Sequence, residues 1–182
     1  MKRLIGNFTY EQASEICSYE NELLLNRTNK PAYYPKVEKL LRDDISVLDY
    51  GGSSGGIYHS VKDRLKIKKW TVIETPMKLQ EGDGILEFKD KIEGDYDIVI
   101  ASGVLQYVTN WRKSLIELLS VGAELYIFAR MSFGKERTYL QKSWLSENGV
   151  TNKKDRLIFY PHTKIPKREF MEYIKGVNYV VE

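Results

Sequence analysis

The chain has 182 residues, 42% of them hydrophobic and 29% charged, and a net charge of +3. That length and balance suit one soluble globular domain with a substantial core. They exclude a membrane-spanning helix, because no apolar run approaches the roughly 20 residues one needs.

Cys17 is the only cysteine, so no intrachain disulfide or cysteine-cluster metal site can form; no metal site is expected, and a reducing cytoplasm fits. The start, MKRLIGNFTYEQASE, turns polar too soon for a signal peptide. The small net charge argues neither for nor against nucleic acid.

Residues 1–44 read as a helical lead-in to a single domain spanning 1–182. Within 10–27, Ile16, Tyr19, Leu23 and Leu24 fall near helical spacing, and Thr9 with Gln12 suits a capping box. The stretch TNKPAYYP breaks that helix, and VEKLLRD supplies a short second one. From ISVLDY (45–50) onward, strand and helix alternate. GIYHSVKDRLK reads as a helix, WTVIE as a strand, and GDGILEF as a turn and short strand. YDIVIAS has the near-continuous apolar character of a strand buried on both faces. WRKSLIELLSVG is an amphipathic helix ending at Gly122, and AELYIFARM is the next strand. FGKERTYLQKSWLSENG is polar, irregular or helical, without clear periodicity. RLIFYPHT suits a strand, KIPKREFMEYIKG a helix opened by Pro166, and NYVVE a final strand. The alternation predicts an α/β fold with a doubly wound, mostly parallel sheet in three layers. Ligands in such sheets lie beyond the carboxyl ends of the strands, where the strand order reverses.

The first of these strands runs into VLDYGGSSGG, which has four glycines in six positions. Gly51, Gly52, Gly55 and Gly56 permit positive φ and close approach of the backbone to a ligand. A dinucleotide fingerprint fits poorly, because Ser53 stands where its middle glycine belongs. Asp49 is the discriminating residue, since dinucleotide strands usually carry an apolar residue there. An acid at that place suits a cofactor with no pyrophosphate and a positive charge. Glu74, nineteen residues beyond Gly55, ends the second strand, where a carboxylate can accept from both hydroxyls of a ribose. The bland alternative is a strand-end glutamate in solvent.

The combination VLDYGGSSGG, TVIETP, YDIVIASGVLQYV and ELYIFARMSF resembles class I S-adenosylmethionine-dependent methyltransferases. More narrowly, it is similar to a bacterial methyltransferase group associated with surface-polysaccharide gene clusters, over roughly residues 30–180. The resemblance implies S-adenosylmethionine as cofactor and a Rossmann-like fold. It places Asp49, Gly51, Gly52, Ser53 and Gly55 around the methionine part, and Glu74 on the ribose. Thr75 and Pro76 would flank the adenine, with Phe88 packed near it and Asp90 a candidate for its amino group. Ser102 and Gly103 would form the pocket floor, with Gln106 and Tyr107 facing the transferred methyl. The chain departs from the pattern at Ser53, in the short stretch from Phe88 to Asp97, and at its end. There the family fold normally adds one more antiparallel strand after NYVVE. Either the sheet is abbreviated or RLIFYPHT takes that edge.

On the acceptor side the candidates are Tyr107, Arg130 and His162. An alcohol acceptor needs a general base, and only His59 and His162 are available as histidines. His59 reads as a helix-surface or capping residue, and His162 precedes the last helix, on the acceptor side. Tyr107 suits a pocket wall better than a base. Arg130 ends a strand where a charge is hard to explain as packing, so it is expected to hold an anionic or hydroxyl-rich acceptor. The competing account is a simple salt bridge. Basic residues in 134–142 and 151–156 suit a phosphate- or nucleotide-bearing substrate, or simply a solvated charged face. The expected activity is methylation, at oxygen, of a small molecule or surface-glycan precursor in the cytoplasm, with no nucleic-acid or membrane partner. A catalytically silent methyltransferase-fold module is the alternative. A nicotinamide oxidoreductase is disfavoured by Asp49, and an RNA methyltransferase by the lack of a basic stripe. Oligomeric state and the identity of the acceptor stay open at this point.

Overall fold

A computed structural model of the chain describes residues 3–16, 34–75, 81–146 and 154–182. Strand β1 spans Arg3–Phe8, helix α1 Tyr10–Ile16 and helix α2 Pro35–Glu38. Then follow β2 (Ile45–Tyr50), α3 (Gly56–Val61), β3 (Ile67–Ile73), β4 (Leu86–Lys89) and β5 (Ile98–Ser102). A 3-10 turn at Leu105–Tyr107 leads to α4 (Trp111–Leu119), β6 (Leu125–Ala129) and β7 (Arg137–Trp144). Strand β8 (Leu157–Lys164), helix α5 (Lys167–Tyr173) and strand β9 (Tyr179–Val181) complete it. Cys17, the expected helix beyond Ile16, Pro76 and residues 147–153 lie outside the described residues.

The main sheet has the order β4-β3-β2-β5-β6-β9, and every pairing in it is parallel. Period-2 alternation divides its side chains between two cores. Ile45, Val47, Trp70, Ile98 and Ile100 pack with Val37 of α2 and Ile57 and Val61 of α3. Leu48, Val99, Ala101 and Phe128 pack on the opposite face with Leu115 and Leu118 of α4 and Phe170 of α5. Helices therefore cover both faces, giving the three-layer α/β arrangement expected. Helix α4 starts where Asn110 accepts a hydrogen bond from the Lys113 N–H at 3.0 Å, an N-cap. Its Arg112 binds Glu136 at 2.7 Å and Glu169 at 2.5 Å, tying the loop before β7 and helix α5 together.

A second, antiparallel sheet has the order β1-β7-β8. It corrects three expectations. The lead-in is not helical throughout, because residues 3–8 form a strand. Residues 137–144 are neither irregular nor helical but the central strand of this sheet, burying Tyr139, Leu140, Gln141 and Ser143. RLIFYPHT does not take the edge of the main sheet; it is β8, at the edge of the small one, where Pro161 is tolerated in a strand. Among the described residues the main sheet ends at the parallel strand β9. The expected capping box does form: Thr9 N–H donates to Gln12 Oε1 at 3.0 Å and Gln12 N–H to Thr9 Oγ1 at 3.2 Å. Helix α1 then packs Ala13 against Leu140, and the Tyr10 hydroxyl donates to the Tyr107 carbonyl. The small sheet is thereby anchored over the turn that follows β5.

Candidate active site

Strand order reverses between β2 and β5, so the loops after these two strands flank one crevice. They touch there: a Cβ on Gly51, which has φ +69°, would overlap the Val104 side chain. Any other residue at 51 would push the two loops apart. Gly52 is as constrained, because its Cβ would overlap the Asp49 carboxylate beneath it. Gly55, φ +72°, is the left-handed residue that opens α3. The departure from the common loop pattern, Ser53, is itself in the left-handed region at φ 56°. A side chain there costs roughly 1–2 kcal/mol, so surrounding contacts must hold it. One is visible: the Ser53 N–H donates to Glu74 Oε1 at 2.9 Å.

Asp49 is 1% exposed. Trp70 Nε1–H reaches its Oδ2 at 3.4 Å. Burial is the main reason its carboxyl pKa rises to about 7; the Trp70 contact and the more distant Arg130 charge pull the other way, and Glu74 adds repulsion. An acid with such a pKa is about half ionised near pH 7, and a neighbouring cation would favour its anion. Glu74 is half-buried just past β3, and its Oε2 also accepts from the Thr75 N–H at 3.3 Å. Thr75 is exposed, and Phe88 on β4 is half-buried beside the first core. Asp90 is exposed.

Arg130, just past β6, is fixed to the end of β5. Its Nε–H donates to Ser102 Oγ at 3.0 Å and its Nη2–H to the Ser102 carbonyl at 2.9 Å. The guanidinium lies over the Tyr34 ring at 4.6 Å and so close to Gly103, φ +67°, that a Cβ there would stand 3.1 Å from it. It forms no carboxylate ion pair among the described residues, so the salt-bridge account of Arg130 fails there. Its own backbone is left-handed at φ 54°, the strain typical of functional positions. Gln106 Nε2–H donates to the Arg130 carbonyl at 3.2 Å, and Gln106 Oε1 is buried without a hydrogen-bond partner among the described residues. An unmet buried acceptor costs about 1–3 kcal/mol, a debt that a ligand N–H or O–H would cancel.

His162 is buried on β8 with the Tyr107 ring edge-on at 5.0 Å and the Tyr139 ring stacked at 4.8 Å. Its Nδ1 meets Gln141 Oε1, and its Nε2 meets Ser132 Oγ at 2.6 Å. Tyr107 is no base: burial pushes its phenol up to about 12, so it is a protonated wall. His59, by contrast, stands on α3 beside Tyr58, with its Nε2 buried and unpartnered among the described residues. The structure thus gathers Asp49, Gly51, Gly52, Ser53, Gly55 and Glu74 on one side of the crevice. Ser102, Gly103 and Arg130 stand on the other, and Tyr107 and His162 at its far wall. Sequence reasoning missed Ser132, Gln141 and Tyr34. No periodicity in the sequence around them pointed to these residues.

A solved structure described as the crystal structure of a S-adenosylmethionine-dependent methyltransferase from Clostridium acetobutylicum ATCC 824 is similar at 9% identity and a TM-score of 0.45. The likeness covers 93% of this chain and 80% of that one. The sequence matches no protein-family model and no curated protein.

Proposed function

We propose that this chain is an S-adenosylmethionine-dependent methyltransferase, acting at oxygen on a small molecule or surface-glycan precursor in the cytoplasm. The observation that carries the reading is the buried Asp49 beneath Gly52, with Glu74 holding the loop by the Ser53 N–H. When bound, the cofactor supplies a sulfonium methyl group open to in-line displacement.

The residues present fit that cofactor. Glu74 stands at the end of β3 beside the glycine loop, where a carboxylate can accept from ribose hydroxyls. Asp49 offers a latent negative charge to a cationic ligand in a low-dielectric place. Gln106 Oε1 offers an unmet acceptor. Gly51, Gly52 and Gly103 let Val104, Asp49 and Arg130 approach the backbone where a Cβ would crowd them. Holding donor and acceptor in line can supply roughly 7–11 kcal/mol of the barrier. Arg130, fixed on Ser102 and free of carboxylates among the described residues, suits an acceptor bearing phosphate, a nucleotide or many hydroxyls.

Calorimetric titration with S-adenosylmethionine tests the reading, and absence of binding to the intact protein sinks it. A silent module kept for a partner protein is the second reading. It is favoured by the engagement of both His162 ring nitrogens with side chains. Binding of the cofactor without turnover would select it.

A further inference from the structure

His162 is held by a chain of side chains that decides which of its nitrogens can take a proton. Gln141 Nε2–H donates to the Tyr160 hydroxyl at 2.7 Å, which turns Gln141 Oε1 toward His162 Nδ1. A carbonyl oxygen only accepts, so Nδ1 carries the ring hydrogen and the neutral ring keeps its lone pair on Nε2. That lone pair faces the Ser132 hydroxyl at 2.6 Å. Serine, histidine and a polar group behind the second nitrogen have the relationship of an activated hydroxyl with its base.

Position matters as much as geometry. Ser132 is half-exposed, two residues beyond Arg130 on the loop after β6, at the carboxyl end of the sheet. Its carbonyl accepts from the Ile165 N–H at 2.9 Å and so is fixed against the segment after β8. His162, 6% exposed, is sealed behind it by the Tyr107 and Tyr139 rings. Solvent and substrate therefore meet the relay at Ser132. The groups facing the ring are the phenols Tyr107, Tyr139 and Tyr160, the Gln141 amide and the Ser132 hydroxyl. Of the cations on those elements, Arg137 lies over the Tyr139 ring at 5.9 Å and Lys164 stands two residues beyond His162 on β8.

We propose that Ser132 and His162 form a proton relay, with Gln141 as its positioning residue, and that the methyl acceptor is therefore an alcohol. This rests on the methyltransferase reading. As the acceptor oxygen bonds to the methyl carbon, the carbon–sulfur bond breaks and its electron pair leaves with the thioether. The acceptor's hydroxyl proton passes to Ser132 Oγ, and the Ser132 proton passes to His162 Nε2. The products are a methyl ether, S-adenosylhomocysteine and a protonated His162, which later returns its proton to water. A carboxylate acceptor would need no such relay.

Two measurements on the full chain test the proposal. Nitrogen NMR of the rings, with His59→Gln for assignment, should show neutral His162 with hydrogen on Nδ1. Gln141→Glu should then raise the midpoint of its titration by about one pH unit. A hydrogen on Nε2 overturns the proposal, since the ring would then donate to Ser132. Methyl-labelled S-adenosylmethionine incubated with a polar metabolite extract should place its label in a base-stable methyl ether. Ser132→Ala and His162→Gln should lower that transfer at least 100-fold near pH 7, with Ser132→Thr restoring part of it. Label in an N-methyl group or methyl ester, or transfer by Ser132→Ala at the wild-type rate, overturns it. Titration with S-adenosylhomocysteine separates the two failures. No binding removes the methyltransferase reading itself, whereas binding with no transfer by the wild-type chain removes the relay.

Discussion

The N–H of Ser53, a residue held at φ 56°, donates to Glu74 Oε1 at 2.9 Å and so fastens the glycine loop to the end of β3. The carboxylate holds the loop, and receiving the ribose is the second role proposed for it. Glu74→Gln keeps an acceptor for the Ser53 N–H but removes the charge. Hydrogen bonds to a charged group are worth about 1.5–3 kcal/mol each, so S-adenosylmethionine affinity should fall at least tenfold by calorimetry. Thermal stability should change little. Unchanged affinity would remove Glu74 from the site.

Ser53 itself carries a backbone cost that glycine would not. Ser53→Gly should match or exceed the wild type in stability, within about 1 kcal/mol, because relief of strain is offset by a freer unfolded chain. Ser53→Val should cost at least about 1–2 kcal/mol, since a β-branched residue tolerates this conformation worst. Urea denaturation of the three proteins measures both differences.

Asp49 has a carboxyl pKa near 3.8 when unfolded and about 7 when folded. Between these values the folded chain binds the extra proton, so this residue's contribution falls as pH rises through the window and levels off above about 7. Asp49→Asn should therefore be more stable than wild type by a margin that grows from pH 4 to 7, up to about 4 kcal/mol. The same variant should bind S-adenosylmethionine more weakly, and lose the strengthening that wild-type binding shows as pH approaches 7. Denaturation and calorimetry across that range check the two halves.

Arg130→Ala removes the clamp on Ser102 and the cation facing the acceptor. Cofactor affinity should stay within about threefold, while the KM of a phosphate-bearing acceptor rises at least tenfold, as expected for loss of charge-assisted bonds. Acceptor kinetics indifferent to Arg130 would leave the anionic-acceptor reading without its main support.

Arg112→Ala tests the frame of the site. Its partners Glu136 and Glu169 come from two separate segments, and all three side chains are about one-third exposed. Solvent screening limits the loss to about 1–2 kcal/mol, read by denaturation, with cofactor affinity unchanged.

The fold was largely legible in the sequence from residue 45 onward, because buried parallel strands leave apolar runs and the helices between them leave a periodic face. Asp49, the glycines and Glu74 were legible for a related reason. They lie on a strand end and its loop, so chain proximity alone makes them neighbours. Strand β7 was not, and β8, legible as a strand, gave no sign of its place in a second sheet. Strands β7 and β8 bury Gln141, Ser143, His162 and Thr163, polar residues that blur the alternation a strand normally shows. What a polar residue means there depends on its partner across the sheet. Only tertiary structure brings Ser132, Gln141 and His162 into one array, from three segments whose sequence spacing carries no signal. The sequence by itself determined which strand end and glycine loop come together, because chain neighbours stay close in space; only the three-dimensional packing decided which polar side chains meet His162.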